Sequence, residues 1–315
     1  MTTWTDAELP SQRGRTAFVT GATSGLGLQV ATVLAARGAR VLLGSRDAAR
    51  GERALAQVRA TATDAAPEVV RLDLMDLASV ADAAEEVQAT SGGTLDLLIN
   101  NAGIIAPPLE LSRDGYESQW ATHVFGHASL TWQLLPALLA APSSRVVTVT
   151  SIAHYPGSFD PATVGPELRG ETYSRIGNYA HTKLADLLFA RELDRRLRAA
   201  GHRTLSLAAH PGVAESQIAG NVVKNGPVWL QRAVIGLYNL PAQPTRMAAW
   251  PILFAAGFPR VKGGQLIGPR GLTLRGRPTA FSGSAASQDP ALASGLWDLL
   301  ERELGFTAEL AAPAS

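Results

Sequence analysis

Short runs of β-branched and apolar residues alternate with longer Ala- and Leu-rich segments of helical periodicity along most of this 315-residue chain. Such alternation predicts a parallel sheet covered by helices, because neighbouring parallel strands need a helix-length crossover between them. The pattern predicts strands at about residues 16–20, 40–43, 68–72, 95–99, 145–150 and 204–208. It predicts helices at about residues 25–37, 47–60, 77–89, 114–139, 176–199 and 290–304.

No linker-like composition separates two cores, so we expect a single α/β domain: a Rossmann-type, doubly wound parallel sheet with helices on both faces. Residues 1–13 are expected to form a flexible N-terminal arm, residues 14–281 the domain, and residues 282–315 a C-terminal extension with one helix. Residues 152–174 and about 213–245 interrupt the alternation. Loops of this length are commonly functional, and the second is expected to be a substrate lid.

Composition excludes several classes of function. The formal net charge is +1, with no long basic run to track phosphates, so nucleic acid is not an expected partner. The chain has no cysteine and shows no signal-peptide pattern, which favours a cytoplasmic location. The uncharged stretch 123–144 contains His127, Gln133 and Pro136, which predicts a buried helix and no membrane span.

A glycine-rich turn follows the first predicted strand and opens the first predicted helix. Its glycines are spaced G-x-x-x-G-x-G, and glycines there let backbone N–H groups approach a pyrophosphate at the helix N-terminus. A purely structural strand-to-helix connection is the alternative interpretation of such a turn. The residues expected to bind the phosphates are Gly21, Thr23, Ser24, Gly25, Leu26 and Gly27.

Arg46 follows the second predicted strand, where an NAD-binding fold usually places an acid for the ribose diol. A guanidinium pairs well with a 2′-phosphate, so NADP(H) is favoured over NAD(H), although Asp47 is adjacent. An ordinary solvated arginine is the alternative. Asp73, directly after the third predicted strand, either holds the adenine edge or caps the following helix.

Tyr179 and Lys183 are four residues apart in a helical pattern, so their side chains project from one face about one turn apart. A neighbouring ammonium favours the phenolate and lowers the pKa of a tyrosine hydroxyl, which makes the pair suited to proton transfer. Ser151 ends the fifth predicted strand, at the sheet edge where open α/β folds bind ligands. Its hydroxyl can donate to a substrate carbonyl oxygen, or it can be a simple turn residue.

Together these motifs resemble the classical short-chain dehydrogenase/reductase family. The resemblance covers about residues 14–268, and the wide gap before residue 179 and the run 179–189 look most like the retinol-dehydrogenase and protochlorophyllide-reductase-like branch. The matching positions are residues 20–27, Asp73, residues 100–103 (Asn-Asn-Ala-Gly), Ser151, Tyr179 with Lys183, and residues 210–212 (His-Pro-Gly).

The resemblance implies roles for these residues. Tyr179 would be the general acid/base, Lys183 would lower its pKa and hold the nicotinamide ribose, and Ser151 would orient the carbonyl. Hydride chemistry belongs to the nicotinamide. Beyond the glycine-rich turn, the implied cofactor contacts are Arg46, Asp73, Leu74, Asn100, Ala102, Gly103, Tyr179, Lys183, Pro211, Gly212, Val213 and Ser216.

One position departs from the family pattern. The long helix of these enzymes usually contributes an asparagine whose backbone helps to hold the water of a proton relay, and His123 stands there. Four interpretations stay open: the histidine preserves the backbone role, it shuttles protons itself, it signals altered chemistry such as a non-redox step, or it is a hydrogen-bonded structural residue. The other histidines show no metal-ligand spacing, so no metal site is expected.

The expected activity is NADP(H)-dependent interconversion of a ketone or aldehyde and its alcohol. Apolar residues between 213 and 241, with Tyr155, Phe159 and Tyr173, favour a small lipophilic substrate. The alternatives are a non-redox step on the same site, such as epimerisation, cyclisation or dehydration, and a non-catalytic dinucleotide-binding protein. Related enzymes often pair through their two long helices, here about residues 114–139 and 176–199, and the apolar content of these helices permits a homodimer or homotetramer without requiring one.

Overall fold

The computed structural model describes residues 4–213, 243–271 and 273–310. The predicted lid therefore lies almost entirely outside the described residues, as does Ser216. In the described residues one eight-stranded sheet forms from β1 (Thr16–Thr20), β2 (Arg40–Ser45), β3 (Glu68–Arg71), β4 (Leu97–Asn100), β5 (Arg145–Val149), β6 (Leu205–Ala209), β7 (Leu266–Gly271) and β8 (Arg275–Phe281).

The strand order is β3-β2-β1-β4-β5-β6-β7-β8. Strands β1 to β7 are parallel, and β8 runs antiparallel to β7 at the edge. The chain builds outward from β1 to β3, then returns to the other side of β1 with β4. That reversal between β1 and β4 is the switch point at which doubly wound folds bind ligands.

Helices cover both faces of the sheet. They are α1 (Gly25–Ala36), α2 (Ala48–Arg59), α3 (Leu77–Thr90), α4 (Gly126–Ala140), α5 (Gly165–Leu168), α6 (Arg175–Ala199), α7 (Thr245–Ala248), α8 (Trp250–Gly257) and α9 (Pro290–Leu304). Side chains alternate across each strand, so Phe18 of β1 lies in the core that contains residues of α3, α4, α6 and α9, whereas the next residue, Val19, lies in the core that contains residues of α1, α2 and α8. This two-sided core confirms the single doubly wound domain.

The N-terminal segment differs from the prediction. Residues 4–13 do not form a free arm, because Trp4 and Leu9 are buried in the core formed with α1 and α8. The ring of Trp4 meets that of Phe254 edge-on, with centroids 5.2 Å apart. Asp6 pairs with Arg246 at 2.8 Å. Apolar burial and this ion pair fix the segment to the domain.

The fourth helix begins later than predicted. Asp114, its predicted first residue, accepts a hydrogen bond from the N–H of Leu77 and so serves the start of α3. The Glu117 carboxylate accepts from the N–H groups of Gln119 and Trp120. Trp120–Phe125 then form a wider π-helical segment that leads into α4.

The C-terminal part of the chain also departs from the prediction. The sequence pattern does not predict four elements of this part, namely β7, β8, α7 and α8. The predicted helix at residues 290–304 is present as α9. It packs in the groove between α4 and α6, where Trp297 is 1% exposed. The centroid of its ring lies 4.8 Å from that of Trp132 on α4 and 6.0 Å from that of Phe189 on α6. The predicted extension is thus part of the domain core.

No helix among residues 4–213, 243–271 and 273–310 combines the length and the apolar composition needed to cross a bilayer.

Candidate active site

The predicted site residues follow the carboxyl ends of β1, β2, β4 and β5. These strands are parallel and adjacent, so their ends meet at one edge of the sheet. Tyr179 and Lys183 reach the same edge from α6, because the Nζ of Lys183 donates to the carbonyl oxygen of Val149, the last residue of β5, at 3.2 Å. The structure thus brings Tyr179 and Lys183 of α6 to the same sheet edge as the predicted site residues that follow the strands.

Glycine is required at two positions of the glycine-rich turn. Gly21 has a φ of +64°, and a Cβ there would lie 2.9 Å from the Cα of Ala102. A Cβ on Gly27 would lie 2.4 Å from the Gly21 carbonyl oxygen and 2.5 Å from the Nδ2 of Asn101. Any larger side chain would push the turn away from the loop after β4. The turn is therefore tight enough for its backbone to approach a ligand closely.

The first turn of α1 offers free N–H groups. Ser24 occupies the N-cap position but makes no side-chain cap hydrogen bond, and the first turn carries no acidic residue. The N-terminus of a twelve-residue helix has a partial positive charge, which favours an anion. Ser24 and Gly25 are exposed, and Thr23 and Leu26 are partly exposed. The turn and the helix end fit a pyrophosphate.

Arg46 is exposed directly after β2. Its neighbour Asp47 is the N-cap of α2 and accepts a hydrogen bond from the Arg50 N–H at 2.8 Å. This hydrogen bond lowers the pKa of Asp47, with smaller contributions from the charges of Arg50 and Arg53. The carboxylate next to Arg46 thus already has a structural role, and the guanidinium is available to a ligand.

Three of the predicted cofactor contacts lie after β3 and at the end of β4, namely Asp73, Leu74 and Asn100. The carboxylate of Asp73 accepts from the Met75 N–H at 3.0 Å in a local turn, and the cap of α3 is Asp76. The side chain of Asn100 is buried and donates to the Oγ1 of Thr131 on α4 at 2.9 Å. Leu74 is also buried. Asn100 and Leu74 therefore cannot bind adenosine through their side chains, because both side chains belong to the core.

Tyr179 and Lys183 lie on successive turns of α6, with the Nζ of Lys183 5.8 Å from the centroid of the Tyr179 ring. The backbone of Lys183 is tied to the sheet, because the hydroxyl of Thr150 donates to its carbonyl oxygen at 2.5 Å. Ser151, the next residue, is partly exposed and caps the turn Ile152–His154 by accepting from the Ala153 N–H at 3.2 Å. A phenol, an ammonium and a hydroxyl thus occupy neighbouring positions at the end of β5.

His123 is fixed by hydrogen bonds on both ring nitrogens. Its Nε2 accepts from the Ile104 N–H at 3.0 Å, and its Nδ1 lies 2.9 Å from the Oγ1 of Thr182. The Thr182 hydroxyl donates to the Tyr179 carbonyl oxygen, so Nδ1 of His123 carries the proton. Burial, with the nearby charge of Lys183, lowers the pKa of His123 well below its ordinary value. These contacts favour the structural interpretation over the proton shuttle.

His127 connects the glycine-rich turn to the π-helical segment, a role that sequence reasoning did not find. Its Nδ1 donates to the His123 carbonyl oxygen at 3.1 Å, and its Nε2 accepts from the hydroxyl of Thr20 at 2.9 Å. The same hydroxyl oxygen accepts from the N–H groups of Asn101 and Ala102, both at 2.9 Å. Burial lowers the pKa of His127 to about 3, so the ring is neutral and rigidly held.

Asp186 is a second residue that sequence reasoning missed. Its Oδ2 lies 2.7 Å from the Nζ of Lys183, and both side chains are buried. The only signal in the sequence was a carboxylate three residues after the lysine, on the same helical face.

The segment after β6 is held by its neighbours. Gly212 has a φ of +71°, and a Cβ there would lie 2.2 Å from the Leu274 carbonyl oxygen. The N–H of Val213 donates to that oxygen at 2.9 Å, and the side chain of Gln243 donates to the Pro211 carbonyl oxygen at 2.7 Å. The last described residues before the predicted lid are thereby fixed at the same sheet edge.

The chain is similar in sequence to known dehydrogenases. A family model described as short chain dehydrogenase matches residues 15–161. Polyprenol dehydrogenase of Mus musculus is 38% identical over 263 residues, which are 81% of this chain and 75% of that protein. Retinol dehydrogenase 12 of Homo sapiens is 39% identical over 214 residues, which are 68% of this chain and 65% of that protein.

Solved structures agree with this relation. An uncharacterised protein from Mycobacterium paratuberculosis superposes with a TM-score of 0.79 at 37% identity, covering 98% of this chain and 99% of that one. A blue fluorescent protein from a metagenomic library, solved in complex with NADPH, superposes with a TM-score of 0.60 at 25% identity, covering 81% and 96%. The chain therefore belongs to the short-chain dehydrogenase/reductase family of oxidoreductases, in its retinol-dehydrogenase-like branch.

Proposed function

We propose that this enzyme uses NADP(H) to interconvert a lipophilic ketone or aldehyde and its alcohol. The observation that carries the proposal is the position of Tyr179 and Lys183 on successive turns of α6, joined to the end of β5 by the Lys183–Val149 hydrogen bond. An acid/base group beside a dinucleotide-binding edge is the arrangement that carbonyl reduction requires.

Three side chains of the protein have different roles in the proposed reaction. The Tyr179 hydroxyl gives a proton to the carbonyl oxygen during reduction and takes one from the alcohol during oxidation. Lys183 favours the phenolate and brings the pKa of Tyr179 closer to neutral pH. Ser151 donates a hydrogen bond to the same oxygen while negative charge develops there. When bound, the nicotinamide supplies or accepts the hydride.

Exposed apolar side chains in segments that flank the site residues in the chain support the proposed substrate class. Leu109 and Leu111 are about half exposed in the loop after β4, and Tyr155 is 45% exposed four residues after Ser151. Ile176, one turn before Tyr179, is 60% exposed. Exposed apolar side chains on the loop after β4, in the segment after Ser151 and at the start of α6 favour a lipophilic ligand. Two relatives are named for polyprenol and retinol, which are lipophilic alcohols.

Two other expected wall residues have different roles. The ring of Phe159 meets that of Trp120 edge-on, with centroids 5.4 Å apart, and the hydroxyl of Tyr173 donates to the Pro107 carbonyl oxygen. Tyr155 remains the better candidate of the three for contact with substrate.

A cofactor and substrate screen tests the proposal. Purified protein is mixed with NADPH or NADH and a panel of lipophilic ketones and aldehydes, and the absorbance of the reduced nicotinamide is followed. We expect carbonyl-dependent oxidation of NADPH at a higher kcat/KM than that of NADH. Tight NADPH binding without turnover on this panel, or on matching alcohols with NADP+, would contradict the proposed reaction.

The exposed Arg46 provides a test of cofactor choice. Arg46→Ala should weaken NADPH binding by about tenfold to a hundredfold and leave NADH binding nearly unchanged, because hydrogen bonds to charged groups contribute about 1.5–3 kcal/mol. Fluorescence titration of both cofactors measures the effect. Arg59→Ala, the same charge change at the far end of α2, is the matched control. Equal weakening of both cofactors by Arg46→Ala would remove Arg46 from the 2′-phosphate site.

The contacts of His123 give no support to a non-redox reaction. The departure at His123 was the reason to consider one, and the hydrogen bonds from Ile104 and to Thr182 occupy both of its ring nitrogens.

A further inference from the structure

The ion pair of Lys183 and Asp186 lies beside the acid/base tyrosine. The Nζ of Lys183 is 2.7 Å from the Oδ2 of Asp186, and the two side chains are 7% and 3% exposed. The same ammonium donates to the Val149 carbonyl oxygen at 3.2 Å. Two of its three N–H bonds are thus directed to acceptors within the chain, and one is left for other partners.

The three polar side chains share one face of α6. Positions 179, 183 and 186 are spaced four and three residues apart, so the phenol, the ammonium and the carboxylate follow one another along the helix. Lys183 stands between the other two. The carboxylate therefore acts on Tyr179 with a sign opposite to that of Lys183, from about 10 Å along the helix axis.

We infer that Asp186 is a positioning residue that holds Lys183 inward and partly cancels its charge, and thereby sets the pH at which Tyr179 exchanges its proton. This inference rests on the proposed function of the site. Asp186 would touch neither substrate nor cofactor and would act only through Lys183.

The histidines near Lys183 and Asp186 are neutral, so their charges do not mask the effect of Asp186 on Tyr179. His123 and His127 face the site from the π-helical segment and α4, and burial lowers the pKa of both, so they are neutral. His154, beyond Ser151, also has a lowered pKa because of its burial. Among the described residues, the carboxylate that is hydrogen-bonded to Lys183 is that of Asp186.

Asp186 is charged at neutral pH. Burial raises its pKa to about 6, with Lys183 acting in the opposite direction. The carboxylate is thus ionised above about pH 6 and takes up a proton below it. Any influence of its negative charge on Tyr179 should accordingly be present above pH 6 and fade as the pH falls through that value.

Asp186→Asn removes the charge and keeps the shape of the side chain. We expect the pKa of Tyr179 to fall by about one pH unit, the size of the interaction between unit charges about 10 Å apart at an effective dielectric constant of about 20. Alcohol oxidation needs the phenolate, so its rise with pH should move to lower pH. Carbonyl reduction needs the phenol, so its loss at high pH should move in the same direction.

A direct readout does not depend on turnover. The ultraviolet absorbance of tyrosinate is titrated in the full-length protein without cofactor, and the matching trace of Tyr179→Phe is subtracted to isolate Tyr179. The variants are Asp186→Asn and Asp186→Glu, which restores a carboxylate. Asp194→Asn is the matched control, since Asp194 is also buried on α6 but pairs with Arg198.

The possible results test the inference about Asp186 separately from the proposed function of the site. A downward shift in Asp186→Asn, with wild-type behaviour in Asp186→Glu and Asp194→Asn, supports the inference. No shift or an upward shift overturns it, even if the wild type reduces carbonyls. If Asp186→Asn does not fold, Asp186→Ser, which also removes the charge, is titrated in its place, and the absence of a downward shift of the Tyr179 titration in that variant also overturns the inference. A wild type without carbonyl reductase activity would instead overturn the proposed function and leave the titration interpretable.

Discussion

Tyr179→Phe is expected to lower the turnover of carbonyl substrates by a factor of about 10² to 10⁴, the usual contribution of a positioned general acid. NADPH binding should remain nearly unchanged, because the substitution removes one hydroxyl and keeps the ring. Steady-state kinetics and fluorescence titration measure the two quantities. The variant should therefore separate chemistry from binding at this site.

The matched control is Tyr116→Phe. The hydroxyl of Tyr116 donates to the Glu303 carbonyl oxygen at 2.9 Å, in the contact between α9 and the segment before α4. Loss of this hydrogen bond should lower the stability of the protein and leave the turnover of carbonyl substrates unchanged. Full activity in Tyr179→Phe would exclude the phenol from the mechanism.

Trp297→Ala should lower the free energy of unfolding by about 3–5 kcal/mol, the usual cost of truncating a buried large aromatic residue. The ring is enclosed by Trp132 and Phe189, and the guanidinium of Arg196 lies 4.5 Å from its centroid. Denaturant unfolding, monitored by far-ultraviolet circular dichroism, gives the difference. Trp297 joins three helices, so we expect a large loss of stability from this single substitution.

Phe306→Ala is the control for that experiment. Its ring also meets Trp132, with centroids 5.7 Å apart, but it is 38% exposed and should cost much less. A loss below about 1 kcal/mol in Trp297→Ala would mean that α9 does not stabilise the domain.

The alternating part of the fold could be predicted from the sequence because local pattern and tertiary role agree there. Val41, Leu42 and Leu43 form an apolar run that is buried on both faces of the sheet, as a central parallel strand must be. Strand β8 could not be found in this way. It contains Arg275, Arg277 and Pro278, residues typical of an exposed edge and uncommon inside a sheet.

Helix starts and terminal segments depended on distant contacts. The start of the fourth helix is decided by which backbone N–H groups donate to Asp114 and Glu117, and the sequence does not show these contacts. Trp4 is an isolated aromatic residue in a polar segment, and only the position of Phe254, 250 residues later, explains its burial.

Some residues of the candidate site could likewise be predicted from the sequence, and others could not. Tyr179, Lys183 and the glycine-rich turn carry spacing that reflects their chemistry, so they could be selected from the sequence. His127 carries no such spacing, and Asp186 has only its three-residue distance from Lys183, which is common to many helical ion pairs. Their roles arise because α4 packs against the end of β1 and because the inward face of α6 buries a carboxylate beside Lys183.

Helix α9 has a consequence for how copies of the chain can meet. Apolar residues of α4 and α6 are covered by residues from the same polypeptide, with Trp297 between Trp132 and Phe189. While α9 stays docked, a second molecule cannot contact the surface that Trp297 covers. Each copy of the chain therefore completes this part of its core without a neighbour.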